Sequence, residues 1–360
     1  MLFDIHPKET IDSLYGRDDD LSHLINHIEN RRWIAILGTR MVGKTSLMKA
    51  GKSKIEQKKV PVIYINLWGG VSSIKGLLGG IVHAINDSLN LVKKFRRYFN
   101  QINGIQVGPL GIKIEKRKEP LSLTSEILSV LGNNIDELVI MLDEVQELQY
   151  VTAHLVKLLA NIFATLPNIT FCFTGSYFGL VKSLLEPRFD SPLYGRSPAR
   201  ISVRSFSRDA SKNFLHAGFS ENKMRISEKD CNEVVDKFNG IPGWLTLYGN
   251  AVVISRLSHE DALKNVEKES FKIQRSVIKH YLEGRNSKLH VTILKAAAAQ
   301  STWADLKGSV KAVTGKTIND ATLKNIIDAL TSSFLIEKTN SMYHTIDPVL
   351  RRFLLRGNLI

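Results

Sequence analysis

The fold of this chain is decided by the stretch Gly38-Thr39-Arg40-Met41-Val42-Gly43-Lys44-Thr45. It follows the pattern G-x-x-x-x-G-K-[ST], in which two glycines allow successive backbone N–H groups to curl around phosphate oxygens. The apolar residues 32–37 before it predict a buried strand, and residues 46–50 after it predict a helix. A strand, a glycine loop and a helix in this order are the context that the motif requires. The stretch therefore predicts a phosphate-binding loop, and the alternative is an ordinary glycine turn before a helix.

Each part of this loop suits one part of a bound nucleotide. The backbone and the N-terminus of the following helix would face the α- and β-phosphates. Lys44 would reach the β- and γ-phosphates, and it is a candidate for catalysis as well as for binding. The Thr45 hydroxyl would ligate Mg²⁺. The expected cofactors are ATP or ADP with Mg²⁺. The residues of this region that are predicted to bind the nucleotide are Gly38, Thr39, Arg40, Met41, Val42, Gly43, Lys44, Thr45 and Ser46.

A second motif is the apolar run of residues 138–142, which ends in the pair Asp143-Glu144. Since the carboxyl ends of parallel strands are where ligands bind in such sheets, these carboxylates are expected beside the phosphate loop. Asp143 would hold Mg²⁺, directly or through water. Glu144 would act as general base on the water that attacks the γ-phosphate. The alternative is a buried strand that ends in an acidic loop.

Three other polar residues are candidates for contact with the reacting phosphate. Thr174 and Ser176 follow another apolar run, and either could read the γ-phosphate or hold the attacking water. The residue types do not decide between them, and the alternative is an ordinary glycine turn at Gly175. Arg196 closes the stretch Ser191-Pro192-Leu193-Tyr194-Gly195-Arg196 and could stabilise charge on the transferring phosphate as a finger or sensor. It could equally pair with a carboxylate in a structural role.

Two turns are candidates for contact with the adenine or ribose. Tyr15-Gly16-Arg17 precedes an amphipathic helix, and an aromatic-Gly-Arg turn in this place can lay its backbone against adenine. Gly240-Ile241-Pro242 opens a later helix, and Pro242 could press on the base. The alternatives are a plain turn for the first and a helix that begins with proline for the second.

The order of predicted elements gives three domains. Residues 1–204 alternate buried strands with helices, which predicts an α/β core with a parallel sheet and an inserted β-hairpin at residues 104–118. Residues 205–283 show only helical periodicity and predict a helical lid. Residues 284–360 predict three helices and a hairpin, the elements of a winged helix-turn-helix.

The sequence leaves open whether the winged helix binds DNA, binds a protein or has a purely structural role. Its third helix offers polar side chains for base contacts but also carries acids, and cations surround it. The polar candidates are Thr317, Asn319, Thr322, Lys324 and Asn325, the acids are Asp320 and Asp328, and the cations are Lys307, Lys311, Lys316, Arg351, Arg352 and Arg356. A basic run with interleaved aromatics at residues 93–99 is a further nucleic-acid candidate. A solvated helix end with a buried aromatic face is the favoured interpretation of that run.

Composition adds weaker constraints. Lys and Arg number 49 against 35 Asp and Glu, so the net charge of +14 suits an anionic partner, either nucleic acid or nucleotide. Cys172 and Cys231 have neither disulfide nor zinc spacing, and Cys172 lies in a predicted strand. The N-terminus lacks the pattern of a secretory signal and no apolar run approaches 18 residues. We therefore expect a cytoplasmic protein without a membrane span.

These motifs together resemble the archaeal ATPase family, within the AAA+ and STAND groups of P-loop NTPases. The resemblance covers nearly the whole chain, and its more specific parts are the Pro-Leu-Tyr-Gly-Arg stretch and Tyr343-His344-Thr345-Ile346-Asp347-Pro348. It implies a five-stranded parallel core, a helical lid and a winged helix, with ADP or ATP between core and lid. It also implies similarity to origin-recognition initiators and signalling ATPases.

The leading hypothesis is a slowly hydrolysing, ATP-dependent molecular switch that moves the winged helix. The runner-up is a DNA-binding regulator in which the nucleotide is mainly a structural ligand. A third is a scaffold whose winged helix docks a protein. A homo-oligomer is another partner that the sequence allows, and oligomerisation that depends on the nucleotide would favour the switch over the scaffold. A kinase is disfavoured, because the Asp143-Glu144 pair favours water as the acceptor and the sequence has no arginine-rich lid.

Overall fold

The computed structural model describes residues 1–68, 73–87, 95–108, 111–115, 119–175 and 180–356, apart from the side chain of Gln149. The chain divides into two compact units. The sheet unit comprises Lys8–Leu37 and Lys44–Ser202, and the helical unit comprises Met1–Pro7, Gly38–Gly43 and Val203–Ile360. The sequence predicts three domains, a core, a lid and a winged helix. That division remains a prediction, since these two units are drawn differently.

The sheet unit is built on five parallel strands in the order β2-β5-β6-β1-β7. The central strands are buried along their whole length, as expected of a parallel sheet covered on both faces. This confirms the predicted α/β fold class. The strands of the unit are β1 Ile34–Leu37, β2 Val62–Asn66, β3 Ile105–Gly108, β4 Gly111–Ile114, β5 Leu138–Asp143, β6 Ile169–Gly175 and β7 Ala199–Ser202.

Helices cover this sheet. Helix α2 begins at Lys44, directly after the phosphate loop, and packs against β1, β2, β5 and β6. The helices of the unit are α1 Asp18–Glu29, α2 Lys44–Gln57, α3 Ile74–Asp87, α4 Pro120–Asn134, α5 Thr152–Thr165 and α6 Leu180–Leu185, with a 3-10 helix at Val145–Val151. Within the described residues, no helix combines the length and apolar character that crossing a bilayer requires.

Strands β3 and β4 pair antiparallel in the stretch where the sequence predicts a hairpin. Asn86 of α3 holds them, because its amide accepts from the Ile112 N–H at 2.8 Å and donates to the Ile112 carbonyl at 3.0 Å. In the basic run before the hairpin, Phe95 and Phe99 are buried. That burial agrees with an aromatic face turned into the core. The lysines of the run, Lys93 and Lys94, lie outside the described residues.

The helical unit contains eight helices and one hairpin within its described residues. Polar side chains cap several helices; Ser207, Ser227 and Asn319, for example, each accept a backbone N–H of the first turn. The elements are α7 Arg208–Glu221, α8 Glu228–Phe238, α9 Pro242–Val253, α10 His259–Leu282, α11 Ser287–Ala298, α12 Trp303–Thr314, α13 Asp320–Ser332, β8 Ile336–Thr339, β9 Met342–Thr345 and α14 Pro348–Leu355.

Helices α11, α12 and α13 share one apolar core with the β8–β9 hairpin and α14. Ile293, Leu306, Leu323, Ile336 and Leu350 are each at most 1% exposed within it. Three helices, an antiparallel hairpin and a closing helix thus occur in the predicted order. The assignment of this module as a winged helix remains a prediction.

A buried carboxylate joins α9, α10 and α14. The Asp347 side chain caps α14 by accepting the Val349 N–H at 2.8 Å. It also accepts the indole N–H of Trp244 at 3.3 Å and the Nε2–H of Gln274 at 2.5 Å. Trp244 and Gln274 are both buried. Burial raises the pKa of Asp347 to about 6, against the lowering effect of these hydrogen bonds.

Asp347→Asn is expected to change how stability depends on pH. Since the folded pKa of about 6 lies above the free value of 3.8, the contribution of Asp347 to stability is complete below the free value and is lost as pH rises through the folded one. Asparagine does not titrate. The unfolding free energy of the variant should therefore rise relative to wild type between about pH 4.5 and 7, by about 2 kcal/mol, measured by denaturant titration.

The matched control is Asp236→Asn. Asp236 is exposed, and its hydrogen bond with Arg208 lowers its pKa. Its titration lies below the range tested, so its stability difference from wild type should stay constant there. A constant difference for Asp347→Asn as well would contradict the assigned pKa.

Candidate functional site

The phosphate loop follows β1 and leads into α2. Its backbone takes positive φ angles at Gly38 (154°), Met41 (65°) and Gly43 (101°). The two glycines are those that the motif fixes, and a side chain is disfavoured at both angles. A Cβ at Gly38 would also lie 2.5 Å from the Val203 carbonyl oxygen. The sequence therefore needs glycine at Gly38 for both its backbone angle and its close packing.

The N-terminus of α9 contacts this loop. The Gly243 N–H donates to the Met41 carbonyl at 2.9 Å. A Cβ at Gly243 would lie only 2.7 Å from the Cβ of Met41, so the approach depends on glycine. Pro242 is the first residue of α9, which agrees with the interpretation of a helix that begins with proline. Its contact with the base remains a prediction. Sequence reasoning missed Gly243, although a glycine after a helix-starting proline was a visible signal.

Asp143 and Thr174 lie side by side at the carboxyl ends of β5 and β6. The register pairs Leu142 with Phe173, so the next residue of each strand is also adjacent. The Thr174 hydroxyl donates to Oδ1 of Asp143 and accepts the Glu144 N–H at 3.0 Å. Asp143 and Thr174 are buried. The structure thus places Thr174 at the acid pair, whereas Ser176 lies outside the described residues.

A tyrosine that sequence reasoning missed completes the surroundings of Asp143. The Tyr64 hydroxyl, from β2, donates to Oδ2 of Asp143 at 2.8 Å. Burial, followed by the nearby Asp143 charge, raises the pKa of Tyr64 well above its usual value. Tyr64 therefore stays protonated and acts as a donor. The strand register gives a weak signal for this contact. Asn66 of β2 pairs with Asp143, and Tyr64 lies two residues before Asn66, so both side chains are on the same face of β2.

Glu144 is held in a left-handed backbone conformation, with φ 59° and ψ 47°. Such a conformation costs a non-glycine residue about 1–3 kcal/mol, and it is found in turns as well as at functional sites. The buried Gln146 donates from Nε2 to the Glu144 carboxylate. A Cβ at Gly175 would lie 2.5 Å from Oε1 of Gln146, so this glycine makes room for the amide. Gln146 is a further residue that the sequence alone did not identify as part of the site.

The oxygen ligands of this site suit Mg²⁺ bound together with a phosphate. Each oxygen of Asp143 accepts one hydroxyl and keeps lone pairs for a cation. Thr45 offers a half-buried hydroxyl in the first turn of α2, which packs on β5. Among the described residues, no three His, Cys, Asp or Glu side chains cluster as a metal site. Mg²⁺ that is bound with a nucleotide takes one or two protein ligands and completes its shell with phosphate oxygens and waters, so Asp143 and Thr45 are the candidate ligands here.

Two other predicted site residues, Ser46 and Arg17, have structural partners within the sheet unit. The Ser46 hydroxyl accepts the Lys8 N–H at 3.1 Å. Arg17 is buried next to Asp20, at 3.4 Å, and Gly16 has a φ of 60°. Burial lowers the pKa of Arg17. These contacts give the Tyr15-Gly16-Arg17 turn a structural role, and its contact with adenine remains a prediction.

Arg196 lies at the opposite edge of the sheet from the acid pair. Its exposed guanidinium sits 5.5 Å from the ring centre of Phe163, which in turn contacts Trp33 just before β1. The register pairs Ala199 with Ile34, so Arg196 comes before the amino end of β7. The structure does not bring Arg196 together with Asp143. A sensor role on the same molecule's nucleotide is therefore disfavoured, which leaves a structural role or a finger for another molecule.

Comparison with solved structures agrees with this fold. The Walker-type ATPase of Pyrococcus abyssi has a TM-score of 0.80 and 26% identity, over 98% of this chain and 99% of its own. The ORC2 protein of Aeropyrum pernix, solved as ADPNP–ADP complexes, has a TM-score of 0.64 and 16% identity, over 99% and 95%. The ORC1 protein of the same organism, solved with DNA, has a TM-score of 0.50 and 12% identity, over 98% and 95%. The likeness to the two ORC proteins concerns the fold alone.

Sequence comparison gives the family. No curated protein matches the chain. A family model described as an ATPase domain predominantly from Archaea matches residues 14–247, which include the phosphate loop, the acid pair and the start of α9. The chain therefore belongs to this family of ATPase domains, as its motifs predict.

Proposed function

We propose that this ATPase works as a molecular switch, which binds MgATP at residues 38–45, hydrolyses it slowly and transmits the nucleotide state to its C-terminal module. Membership of the family makes the chain a nucleotide-binding ATPase. The single observation that carries the catalytic part of the proposal is the network joining Asp143, Glu144 and Thr174 at the carboxyl edge of the sheet. The contact between the phosphate loop and α9 supports the transmission part.

The loop and the start of α2 would bind the phosphates. Backbone N–H groups of Gly38–Gly43 and the dipole of α2 attract negative charge without any side chain. Lys44, the first residue of α2, would add a full positive charge near the β- and γ-phosphates. Asp143 and Thr45 would hold Mg²⁺, which when bound neutralises charge that develops on the phosphate oxygens.

Glu144 would accept a proton from the attacking water. Its own backbone N–H is tied to Thr174, and its carboxylate receives a hydrogen bond from Gln146. These two contacts fix both ends of the residue relative to Asp143. The water oxygen would then attack the γ-phosphorus while its proton moves to the Glu144 carboxylate, and ADP leaves. The left-handed backbone at Glu144 serves to aim this carboxylate.

Glu144→Gln should retain ATP affinity but lose about 10²–10⁴-fold in hydrolysis rate, because an amide cannot accept the proton. The measurements are equilibrium ATP binding and single-turnover release of phosphate. Lys44→Ala is the companion variant and should lose ATP binding itself. Unchanged hydrolysis in Glu144→Gln would remove it as the base, and tight ATP binding by Lys44→Ala would refute the phosphate loop.

Tyr64→Phe should lower Mg²⁺-dependent hydrolysis about 10–100-fold, because residues that orient a metal ligand have effects of this size. The Tyr64 hydroxyl holds Oδ2 of Asp143, so the variant should need more Mg²⁺ for half-maximal rate. ATP affinity without Mg²⁺ should not change. Tyr194→Phe, at a 57% exposed tyrosine, is the matched control. An equal effect in both variants, or none in Tyr64→Phe, would contradict the role given to Tyr64.

A continuous path of contacts would carry the nucleotide state within the helical unit. Met41 of the phosphate loop accepts from Gly243, and the next residue, Trp244, donates to Asp347. Asp347 in turn caps α14 of the C-terminal module. A change in the loop backbone on nucleotide binding would therefore act on the start of α9 and, through a buried indole, on the start of α14. A switch requires that this path have a different arrangement in each nucleotide state.

Hydrogen exchange can test this path. Replacing ADP by a non-hydrolysable ATP analogue should change exchange at the Gly243 amide and also at the Val349 amide. In Trp244→Phe, which lacks the indole N–H, the response at Gly243 should persist while the response at Val349 falls by about half or more. Trp303→Phe, whose indole bonds Asp320 instead, is the matched control. A Val349 response that survives equally in both variants would refute transmission through Trp244.

A further inference from the structure

A groove of about 430 Å³ lies between α10 and α14, in the helical unit. Two aromatic and four cationic side chains form its lining, and none of the lining side chains is acidic. They are Lys268, Phe271, Lys272, Arg275, Phe353 and Arg356. The groove involves neither the phosphate loop nor the acid pair, so the proposed ATPase chemistry does not use it.

Positive charge continues along α10 beyond the groove. Lys264, Lys268, Lys272, Arg275 and Lys279 are all exposed and follow one another every three or four residues. That spacing places them on one face of the helix, over about 22 Å at 1.5 Å per residue. Residues 270–282 contain no Asp or Glu, and neither do residues 348–356. The stripe and α14 therefore form one cationic surface.

The nearby acids do not cancel this surface. Glu267 is 12% exposed and pairs with Arg352 at 3.1 Å and with Arg356 at 3.3 Å. Glu269 pairs with Lys272 at 2.7 Å, and Lys272 remains 63% exposed. Near the groove, two carboxylates thus face Lys268, Lys272, Arg275, Arg352 and Arg356, whereas Glu260, Asp261 and Glu283 lie at the two ends of the stripe. An anionic ligand would meet a net positive groove.

The aromatic side chains give this surface a second property. Phe271 packs edge-on against Phe353, with 5.5 Å between ring centres. The Arg356 guanidinium lies 5.3 Å from the centre of the Phe271 ring. Flat guanidinium and aromatic groups are the surfaces on which unpaired bases stack, and a nearby row of cations is what a phosphodiester backbone follows.

We propose that the groove and the α10 stripe bind single-stranded nucleic acid, with phosphates along Lys264, Lys268, Lys272 and Lys279 and a base stacked at Phe271 and Arg356. Helix α13, the candidate for reading a DNA duplex, is a poorer surface. This helix contains two acidic residues, Asp320 and Asp328, and one basic residue, Lys324. Asp320 is already paired with Lys307 at 2.9 Å.

Fluorescence anisotropy of the full chain with a labelled oligo-dT of about 20 nucleotides tests this proposal. We expect tighter binding to the single strand than to a duplex of equal length. With four or five phosphates neutralised, log K should fall with log[salt] at a slope of about −3 to −3.5. No binding at low salt, or a preference for the duplex, would overturn the proposal.

Matched charge reversals locate the site. Lys268→Glu with Lys272→Glu should lower oligo-dT affinity at least about tenfold and flatten the salt slope by roughly 1.4. Lys311→Glu with Lys324→Glu makes the same change in net charge on α12 and α13, where both lysines are exposed, and should have little effect. Equal losses in the two double variants would mean that only the overall charge attracts the oligonucleotide, which would refute the groove.

Phe271→Leu separates stacking from charge while it keeps an apolar side chain at this position. It should lower affinity about fivefold or more without changing the salt slope, because stacking releases no counterions. Unchanged affinity would remove the base contact. Polyglutamate of similar length should displace the oligo-dT only weakly, and displacement as strong as that by unlabelled oligo-dT would indicate an acidic protein partner instead.

Discussion

The hydrogen bond from Thr174 to Asp143 is the interaction on which the site depends. It joins the two central strands of the sheet at the edge where both end, and the same hydroxyl also receives the backbone of Glu144. The register of β5 and β6 therefore sets the position of both acids at once. A slip of one residue would turn every side chain of the strand to the other face and separate this network. The chemistry thus depends on the long apolar stretches that keep these strands buried and in register.

The acid pair Asp143-Glu144 has two polar neighbours, Tyr64 and Gln146, which are accommodated in different ways. Tyr64 fills the side towards β2 with a large ring whose hydroxyl reaches Asp143. Gln146 enters from the 3-10 helix and needs the missing side chain of Gly175. Because both partners are uncharged, they can orient Asp143 and Glu144 without competing with a bound cation. Cys172 lies buried close by, and its burial, followed by the Asp143 charge, raises the pKa of the thiol, so it stays a neutral core residue.

Sequence patterns predicted the strands, the phosphate loop and the acid pair because those features are local. Apolar runs, glycine spacing and helix periodicity depend on residues within a few positions of one another. Tyr64 lies 79 residues from Asp143, and Trp244 lies 103 residues from Asp347. Periodicity says that such side chains are buried but not which partner they meet. Arg196 shows the same limit, since its motif suggested a phosphate contact while the strand register places it at the far edge.

The path of the chain between the two units has a consequence for modularity. The polypeptide passes from one unit to the other four times, after Pro7, Leu37, Gly43 and Ser202. A cut near residue 204, where the sequence suggests a boundary, would separate the phosphate loop from Gly243, whose N–H bonds the Met41 carbonyl. Because the chain crosses between the units four times, recombination at a single position could not move either unit intact into another protein. The two units would therefore be inherited, duplicated and lost together.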